Sequence, residues 1–174
     1  SRSLREFTSV FSDDIETVEV FFANNQILFR SEHISFYTRL LEGNYPDTDR
    51  LIPTEFNTEA TFNVANLRFA MERARLLSNA TQNGTVKLEF KNGVVSSHVH
   101  SPEVGRVNEE IDTSAVSGED LSISFNPTYL IEALKAIDSE QVVIRFISSV
   151  RPFTLVPEGN EQGFIQLITP VRTN

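Results

Sequence analysis

The chain has 174 residues, of which 40% are hydrophobic, so it is long enough and apolar enough to build a core. It contains no cysteine, which excludes disulfides and thiol chemistry and is typical of a reducing compartment. Its formal net charge of −9 argues against a generally basic nucleic-acid binder but is compatible with local basic stripes. No apolar run approaches the roughly 18 residues of a membrane span, and no signal-peptide pattern opens the chain.

The first predicted element is a short helix over residues 3–12, where Leu4, Phe7 and Phe11 recur at helical spacing. Three strand-like runs follow it, with the sequences VEVFFA, QILFRSEH and ISFYTRLLE. The next segment, GNYPDTDRLIPTEFN, is rich in Pro, Gly, Asp and Asn, which predicts a linker.

Two later segments repeat one pattern at an offset of 63 residues, TFNVANLRFAMERARL from Thr61 and SFNPTYLIEALKAI from Ser124. In both, apolar residues recur at positions i, i+3, i+4 and i+7, which predicts a helix with one buried face. We expect Asn63 and Asn126 to cap these helices, and Pro127 to occupy the first helical position of the second.

Each of these helices is preceded by one predicted strand and followed by three. ATFNV precedes the first helix, and TVKLEF, VVSSHVH and VGRVNEEID follow it, with a hairpin turn at Asn92-Gly93. LSISF precedes the second helix, and QVVIRF, VRPFTLV and FIQLITPV follow it. The predicted fold class is therefore α+β, built from repeated strand–helix–three-strand units. The opening segment is a third unit without its leading strand.

This pattern divides the chain into three parts. Residues 54–174 form a complete two-unit domain, residues 44–53 an interdomain linker, and residues 1–43 the second half of a preceding domain. Half a domain leaves a sheet edge unsatisfied, so we expect the chain to be a truncated piece of a longer protein.

The sequence offers no chemistry for catalysis. It has no P-loop, no G-x-S-x-G and no H-E-x-x-H motif. His98 and His100 alternate along a predicted strand, but with no Cys and only His33 besides them they are too few for a site of three or four ligands. The prediction is a non-catalytic protein with neither a metal nor a cofactor.

The linker EGNYPDTDRLIP, the segments AMERARLLSNA and SPEVGRVNEEI and the C-terminus QLITPVR resemble the bacterial β sliding clamps, and the resemblance covers the whole chain. Members of that family are processivity subunits of the replicative DNA polymerase III, with three similar domains each. Two subunits close head-to-tail into a ring around duplex DNA, with helices lining the hole. The resemblance implies the second half of domain 2, all of domain 3 and a place in the bacterial cytoplasm with the nucleoid.

The resemblance also implies that the free faces of the helices meet double-stranded DNA without reading its sequence, through a few phosphate contacts. The basic residues on those faces are Arg2, Arg5, Arg68, Arg75 and Lys135. Without the resemblance, such residues would be interpreted as ordinary solvated helix surface.

Family members bind polymerases, the clamp loader and repair proteins through one pocket per subunit, which takes a short peptide carrying a Gln and a few hydrophobic residues. The family's pocket motif matches positions in the linker and in the C-terminal strand of this chain, and a looser alignment adds one further residue, Pro152. The pocket residues are Pro46, Arg50 and Leu51, then Leu167, Thr169, Pro170, Val171 and Arg172, and finally Pro152. At Thr169 the family often has a larger apolar residue, which affects the depth of one subsite. Without the resemblance, Pro46 would be a turn residue and the strand part of the core.

The resemblance further implies a homodimer in the full-length protein, in which domain 3 meets domain 1 of the neighbour, and assigns Leu76 and Leu77 to that interface. On helical spacing alone both leucines fit a core. The alternative function is a β-rich protein-binding adaptor with no DNA role. A clamp requires its helices side by side on one concave, less acidic surface, whereas an adaptor requires nothing of them.

Overall fold

The computed structural model describes residues 2–11, 15–44, 47–48, 50–78, 84–101, 105–160 and 163–172. The chain divides into two compact units, Ser1–Asp47 and Thr48–Asn174. In the described part of the chain, no helix has the length and apolar character needed to cross a membrane.

In its described residues, the first unit consists of one helix and a three-stranded antiparallel sheet, in the strand order β1-β2-β3. Its elements are α1 Arg2–Val10, β1 Glu19–Phe22, β2 Gln26–Arg30 and β3 Ser35–Arg39. The rings of Phe7 and Phe29 lie 4.7 Å apart, and Phe11 and Phe36 join the same aromatic cluster. These rings join α1 to the sheet, which confirms the predicted helix and the Phe7 and Phe11 part of its apolar face, whereas Leu4 is 58% exposed.

The second unit contains two helices and nine strands among its described residues. The helices are α2 Val64–Ser78 and α3 Pro127–Lys135. The strands before α3 are β4 Thr58–Asn63, β5 Val86–Lys91, β6 Val94–Ser101, β7 Gly105–Ile111, β8 Ala115–Gly118 and β9 Leu121–Phe125. The strands after it are β10 Gln141–Phe146, β11 Phe153–Pro157 and β12 Gln166–Ile168.

These strands form two antiparallel sheets, in the orders β12-β11-β10-β4-β8 and β7-β6-β5-β9. The leading strand of each repeat pairs with the other repeat, since β4 pairs with β10 and β9 pairs with β5. For example, Phe62 lies opposite Val142, and Phe125 lies opposite Val86. The two repeats therefore interlock, so neither completes its sheet alone.

The positions that match at the 63-residue offset form the centre of the core. Phe62 and Phe125 at the ends of their strands are fully buried, and so are Leu67 and Leu130 in the helices that follow. Helix α2 contacts α3 directly and lies against β4, β5, β6 and β7, while α3 contacts β12. Burying a side chain of this size stabilises the fold by roughly 1.5–3 kcal/mol. The repeated apolar pattern is thus the packing surface of the helix pair.

The predicted hairpin turn is confirmed, because Asn92 and Gly93 both have positive φ, at 51° and 77°. Strand β8 was not predicted. It pairs with β4, and its last residue, Gly118, has φ of 99°. A Cβ on Gly118 would lie 1.9 Å from the carbonyl oxygen of Asn57, so the close pairing of β8 with β4 requires glycine.

Candidate nucleic-acid interface and peptide groove

The α2–α3 pair brings two of the predicted DNA-facing residues to one place. Arg68 of α2 and Lys135 of α3 both line a shallow depression of about 200 Å³, together with the first residues of α2. Lys135 is exposed, and the side chain of Arg68 is one-third exposed. Because these helices come from different repeats, their packing alone makes the two cations neighbours.

The other predicted DNA-facing residues lie elsewhere. Arg75 is half-buried in the last turn of α2, where a cation favourably meets the negative end of the helix dipole. Arg2 and Arg5 are exposed on α1 in the first unit, and the Arg2 Nε donates to Glu6 at 2.9 Å. These three residues do not line the α2–α3 depression.

A further basic residue of α2, Arg73, is held by the sheet. Its guanidinium donates to both carboxylate oxygens of Glu109 on β7, with 3.3 Å between Nε and Oε2. This hydrogen bond raises the pKa of Arg73 above its ordinary value, the charge of Glu109 acts in the same direction, and partial desolvation opposes both. Arg73 therefore joins α2 to β7 and remains a cation at any working pH.

A second candidate site is a groove of about 340 Å³ between α3 and the edge strand β12. Two of the predicted peptide-pocket residues, Leu167 and Thr169, line it. The remaining lining residues were not predicted and are Tyr129, Glu132, Ala133, Ala136, Gln166 and Ile168. Positions 129, 132, 133 and 136 follow the spacing of one helix face, a signal in the sequence that could have identified this wall.

The residues after β12 are positioned by one backbone hydrogen bond. The N–H of Val171 donates to the carbonyl oxygen of Ser124 in β9, at 2.7 Å. This bond links the end of one sheet to the edge strand of the other and holds Pro170, Val171 and Arg172 beside β9. Val171 and Arg172 are exposed and Pro170 is half-buried.

The other predicted pocket residues lie outside the lining of this groove. Leu51 is 52% exposed, and its N–H donates to the carbonyl of Thr48. Arg50 is exposed, and Pro152 is half-buried just before β11. Pro46 lies outside the described residues. The convergence of these four residues with the C-terminal strand stays a prediction.

The two predicted interface leucines differ in environment. Leu76 is 73% exposed, whereas Leu77 is partly buried against the core. Strand β7, which α2 contacts, is an edge strand of its sheet.

Phe69 was not predicted for any site, and it is 49% exposed on α2. The guanidinium carbon of Arg68 lies over the Phe69 ring, 5.3 Å from the ring centre.

The outer face of the four-stranded sheet carries a polar network around His98. Its Nε2 lies 2.9 Å from the Ser96 hydroxyl, and its Nδ1 lies 2.8 Å from the Asn108 side-chain oxygen. In the described ranges, no three His, Cys, Asp or Glu side chains lie close enough together to hold a metal ion.

Two interlocked strand–helix–three-strand repeats, with their helices packed side by side, define the class of domain found in ring-forming DNA clamps. The family described as DNA polymerase III beta subunit, C-terminal domain, matches residues 49–172, and the chain belongs to that family.

Relatives match over the whole chain. It is 80% identical over 174 residues to the beta sliding clamp of Streptococcus pneumoniae serotype 4, covering 100% of this chain and 46% of the relative. It is 54% identical over 176 residues to that of Lactococcus lactis subsp. lactis, again covering 100% and 46%. The chain therefore spans about half the length of the curated relatives it matches.

Solved structures agree with the fold. A crystal structure of the DNA polymerase III beta chain from Streptococcus pneumoniae TIGR4 superposes with a TM-score of 0.91 at 80% identity, covering 99% of this chain and 46% of that one. The DNA polymerase sliding clamp from Bacillus subtilis gives a TM-score of 0.86 at 37% identity, with the same coverage.

Proposed function

We propose that this chain is part of a sliding clamp, a non-catalytic processivity factor that closes as a homodimer around duplex DNA. In this proposal, residues 1–43 complete domain 2, residues 44–53 link the domains, and residues 54–174 are domain 3. The protein works at the bacterial nucleoid, where it tethers the polymerase, the clamp loader and repair proteins through short peptides.

The observation that carries the proposal is the direct packing of α2 on α3. The pair presents Arg68 and Lys135 from two repeats to one depression, in a chain whose net charge is −9. The adaptor alternative gives no reason for the helices to lie together or to share a cationic site. Family membership over residues 49–172 supports the same conclusion.

The charge distribution suits sliding. A few exposed cations give phosphate contacts that are weak, salt-sensitive and independent of sequence. Such contacts allow movement along the duplex, while a closed ring prevents dissociation by topology. A piece of the ring that is not closed makes the same contacts, but nothing prevents it from dissociating from the duplex.

The test compares the full-length subunit with this 174-residue chain on plasmid DNA at physiological salt. The full-length ring, loaded on nicked circular DNA, should co-elute with it in gel filtration and be lost when the plasmid is linearised. The 174-residue chain should not be retained on either form. Tight duplex binding by the short chain in a gel shift at the same salt would contradict a topological mechanism.

We also propose that the groove between α3 and β12 is part of the partner-peptide pocket, with Arg50, Leu51 and Pro152 on another wall. Tyr129 and Leu167 supply apolar surface, while Glu132, Gln166 and Thr169 supply polar groups. An apolar groove with a few polar groups is suited to capture a short peptide through one or two hydrophobic anchors.

A further inference from the structure

The α2–α3 depression is cationic on both sides. Arg68 projects from the first half of α2, and Lys135 ends α3. Among the described residues of its lining, the one acidic residue is Glu140, whose backbone carbonyl accepts a hydrogen bond from the N–H of Val64 at 2.9 Å. The depression therefore has an excess of positive charge in an acidic chain.

The guanidinium of Arg68 is incompletely satisfied where it lies. Its Nε is buried and has no hydrogen-bond partner within the described part of the chain. The nearest carboxylate oxygen, Oε1 of Glu72, is 4.0 Å from Nε, which is too far for a hydrogen bond. A buried donor without an acceptor is costly, so an anion entering the depression would favour a small reorientation of Arg68 toward it.

We propose that Arg68 and Lys135 together bind a single backbone phosphate of duplex DNA, at a discrete site across the α2–α3 seam. This inference rests on the proposed clamp function and deepens it. Arginine can donate two parallel hydrogen bonds to phosphate oxygens, and lysine adds a mobile point charge. A shared anion also relieves the repulsion between the two cations, which gives a reason for one phosphate between them rather than one each.

The internal repeat shows why the site occurs once. At the 63-residue offset, Arg68 corresponds to Ile131 and Lys135 corresponds to Glu72. Ile131 is fully buried and Glu72 is acidic, so the equivalent position at the other end of the helix pair cannot bind an anion in this way. Arg73 is not an alternative, because Glu109 already engages it.

The experiment uses the full-length subunit and a short linear duplex, with binding followed by fluorescence anisotropy across a series of sodium chloride concentrations. The variants are Arg68→Gln, Lys135→Gln, the double substitution, and Arg106→Gln as a control that removes an exposed arginine from β7. Analytical ultracentrifugation and circular dichroism establish that each variant remains a folded dimer.

Each neutralised phosphate contributes about 0.9 to the slope of log K against log salt. We expect each single substitution to reduce the slope by about 0.9, because the phosphate needs both cations, and the double substitution to reduce it by no more than about 0.9 in total. Arg106→Gln should leave the slope unchanged. Glu140→Gln should strengthen binding severalfold, because it removes the carboxylate that opposes the phosphate.

A double variant that loses twice the slope of either single variant would overturn the shared site in favour of two separate contacts. Unchanged slopes in both single variants would remove the site altogether. If the unaltered subunit does not bind the short duplex even at low salt, the phosphate site is overturned, whereas the proposed function fails only if the loaded subunit is not retained on nicked circular DNA. A last comparison uses inorganic phosphate at matched ionic strength. If it displaces DNA from the unaltered protein but not from the double variant, the site binds free phosphate as well, and specificity for the DNA backbone is overturned.

Discussion

Leu76 and Leu77 are neighbours in the chain, but their side chains lie in different environments. Helical spacing made both compatible with a core, and family resemblance assigned both to the subunit interface. The side chain of Leu77 packs partly against the core, whereas Leu76 leaves 73% of its surface in solvent. Leu76 is therefore a more informative interface candidate than Leu77, because it is exposed and its helix, α2, contacts the edge strand β7.

Leu76→Asp in the full-length subunit should disrupt the dimer and leave the domain folded. In the proposed interface, an aspartate would lose its solvation without gaining a partner. In the isolated subunit the aspartate stays in water, so we expect the free energy of unfolding to fall by only about 1 kcal/mol, because aspartate has a lower helix propensity than leucine and lies near the negative end of the α2 dipole. Sedimentation equilibrium measures the first effect and urea denaturation the second.

The control for this prediction is Val94→Asp, which introduces the same charge at a valine that is 46% exposed at the start of β6. It should leave the dimer constant unchanged. An unchanged dimer constant in Leu76→Asp as well would exclude Leu76 from the interface.

At the scale of single elements, both helices of the second unit begin at an asparagine cap. The Asn63 side-chain oxygen accepts from the N–H of Asn66 at 3.0 Å, and that of Asn126 accepts from the N–H of Thr128 at 2.9 Å. Pro127 follows at the first position of α3, as the sequence predicts. These starts were predictable because a cap depends on two or three adjacent residues.

Replacing either cap by alanine should destabilise the second unit by about 1 kcal/mol, because one backbone donor of the first turn loses its partner. Asn66→Ala provides the matched control, since it removes an asparagine side chain from the first turn and keeps the capped N–H. It should cost less than 0.5 kcal/mol, since surface changes away from such features are usually that small. Equal losses in all three variants, measured by urea denaturation, would show that capping is not the cause.

At the scale of the whole molecule, the proposed peptide pocket is assembled from distant parts of the sequence. One wall comes from α3, another from β12, and the tail beyond β12 is fixed by the hydrogen bond from Val171 to Ser124. In the proposed clamp, the first half of domain 2 supplies a further wall that this chain does not contain. A bound peptide would then leave part of its apolar side in water.

We therefore expect this chain to bind clamp-binding peptides more weakly than the full-length subunit does. At about 25 cal/mol per Å², losing on the order of 100 Å² of apolar contact costs roughly 2.5 kcal/mol. That corresponds to well over a tenfold loss of affinity. Deleting the tail from Thr169 to Asn174 should abolish the remaining binding, because it removes Thr169 from the groove and the segment that Val171 holds in place.

Isothermal titration calorimetry of one peptide against the full-length subunit, this chain and the tail-deleted chain provides the measurement. Equal affinity for the first two proteins would show that the missing wall is unimportant. If the tail deletion changes nothing, the pocket lies elsewhere.

The sequence by itself determined the elements and their repetition. The helices, their asparagine caps and the Asn92-Gly93 turn are all set by residues within a few positions of one another, where periodicity and backbone preference act directly. The same local patterns carried the resemblance to the clamp family. That resemblance assigned Leu167 and Thr169 to the peptide pocket, and both line the groove between α3 and β12.

Only the tertiary structure decided how these elements combine. Contacts between residues far apart in the chain determine the exchange of β4 and β9 between repeats, the short strand β8 and the groove wall with Tyr129. They also place Arg68 and Lys135 at one depression. No local pattern specifies such contacts, because each depends on which surfaces pack once the whole core is buried. Gly118 shows this dependence, since its neighbours in sequence do not require glycine, but the Asn57 carbonyl facing it across the sheet does.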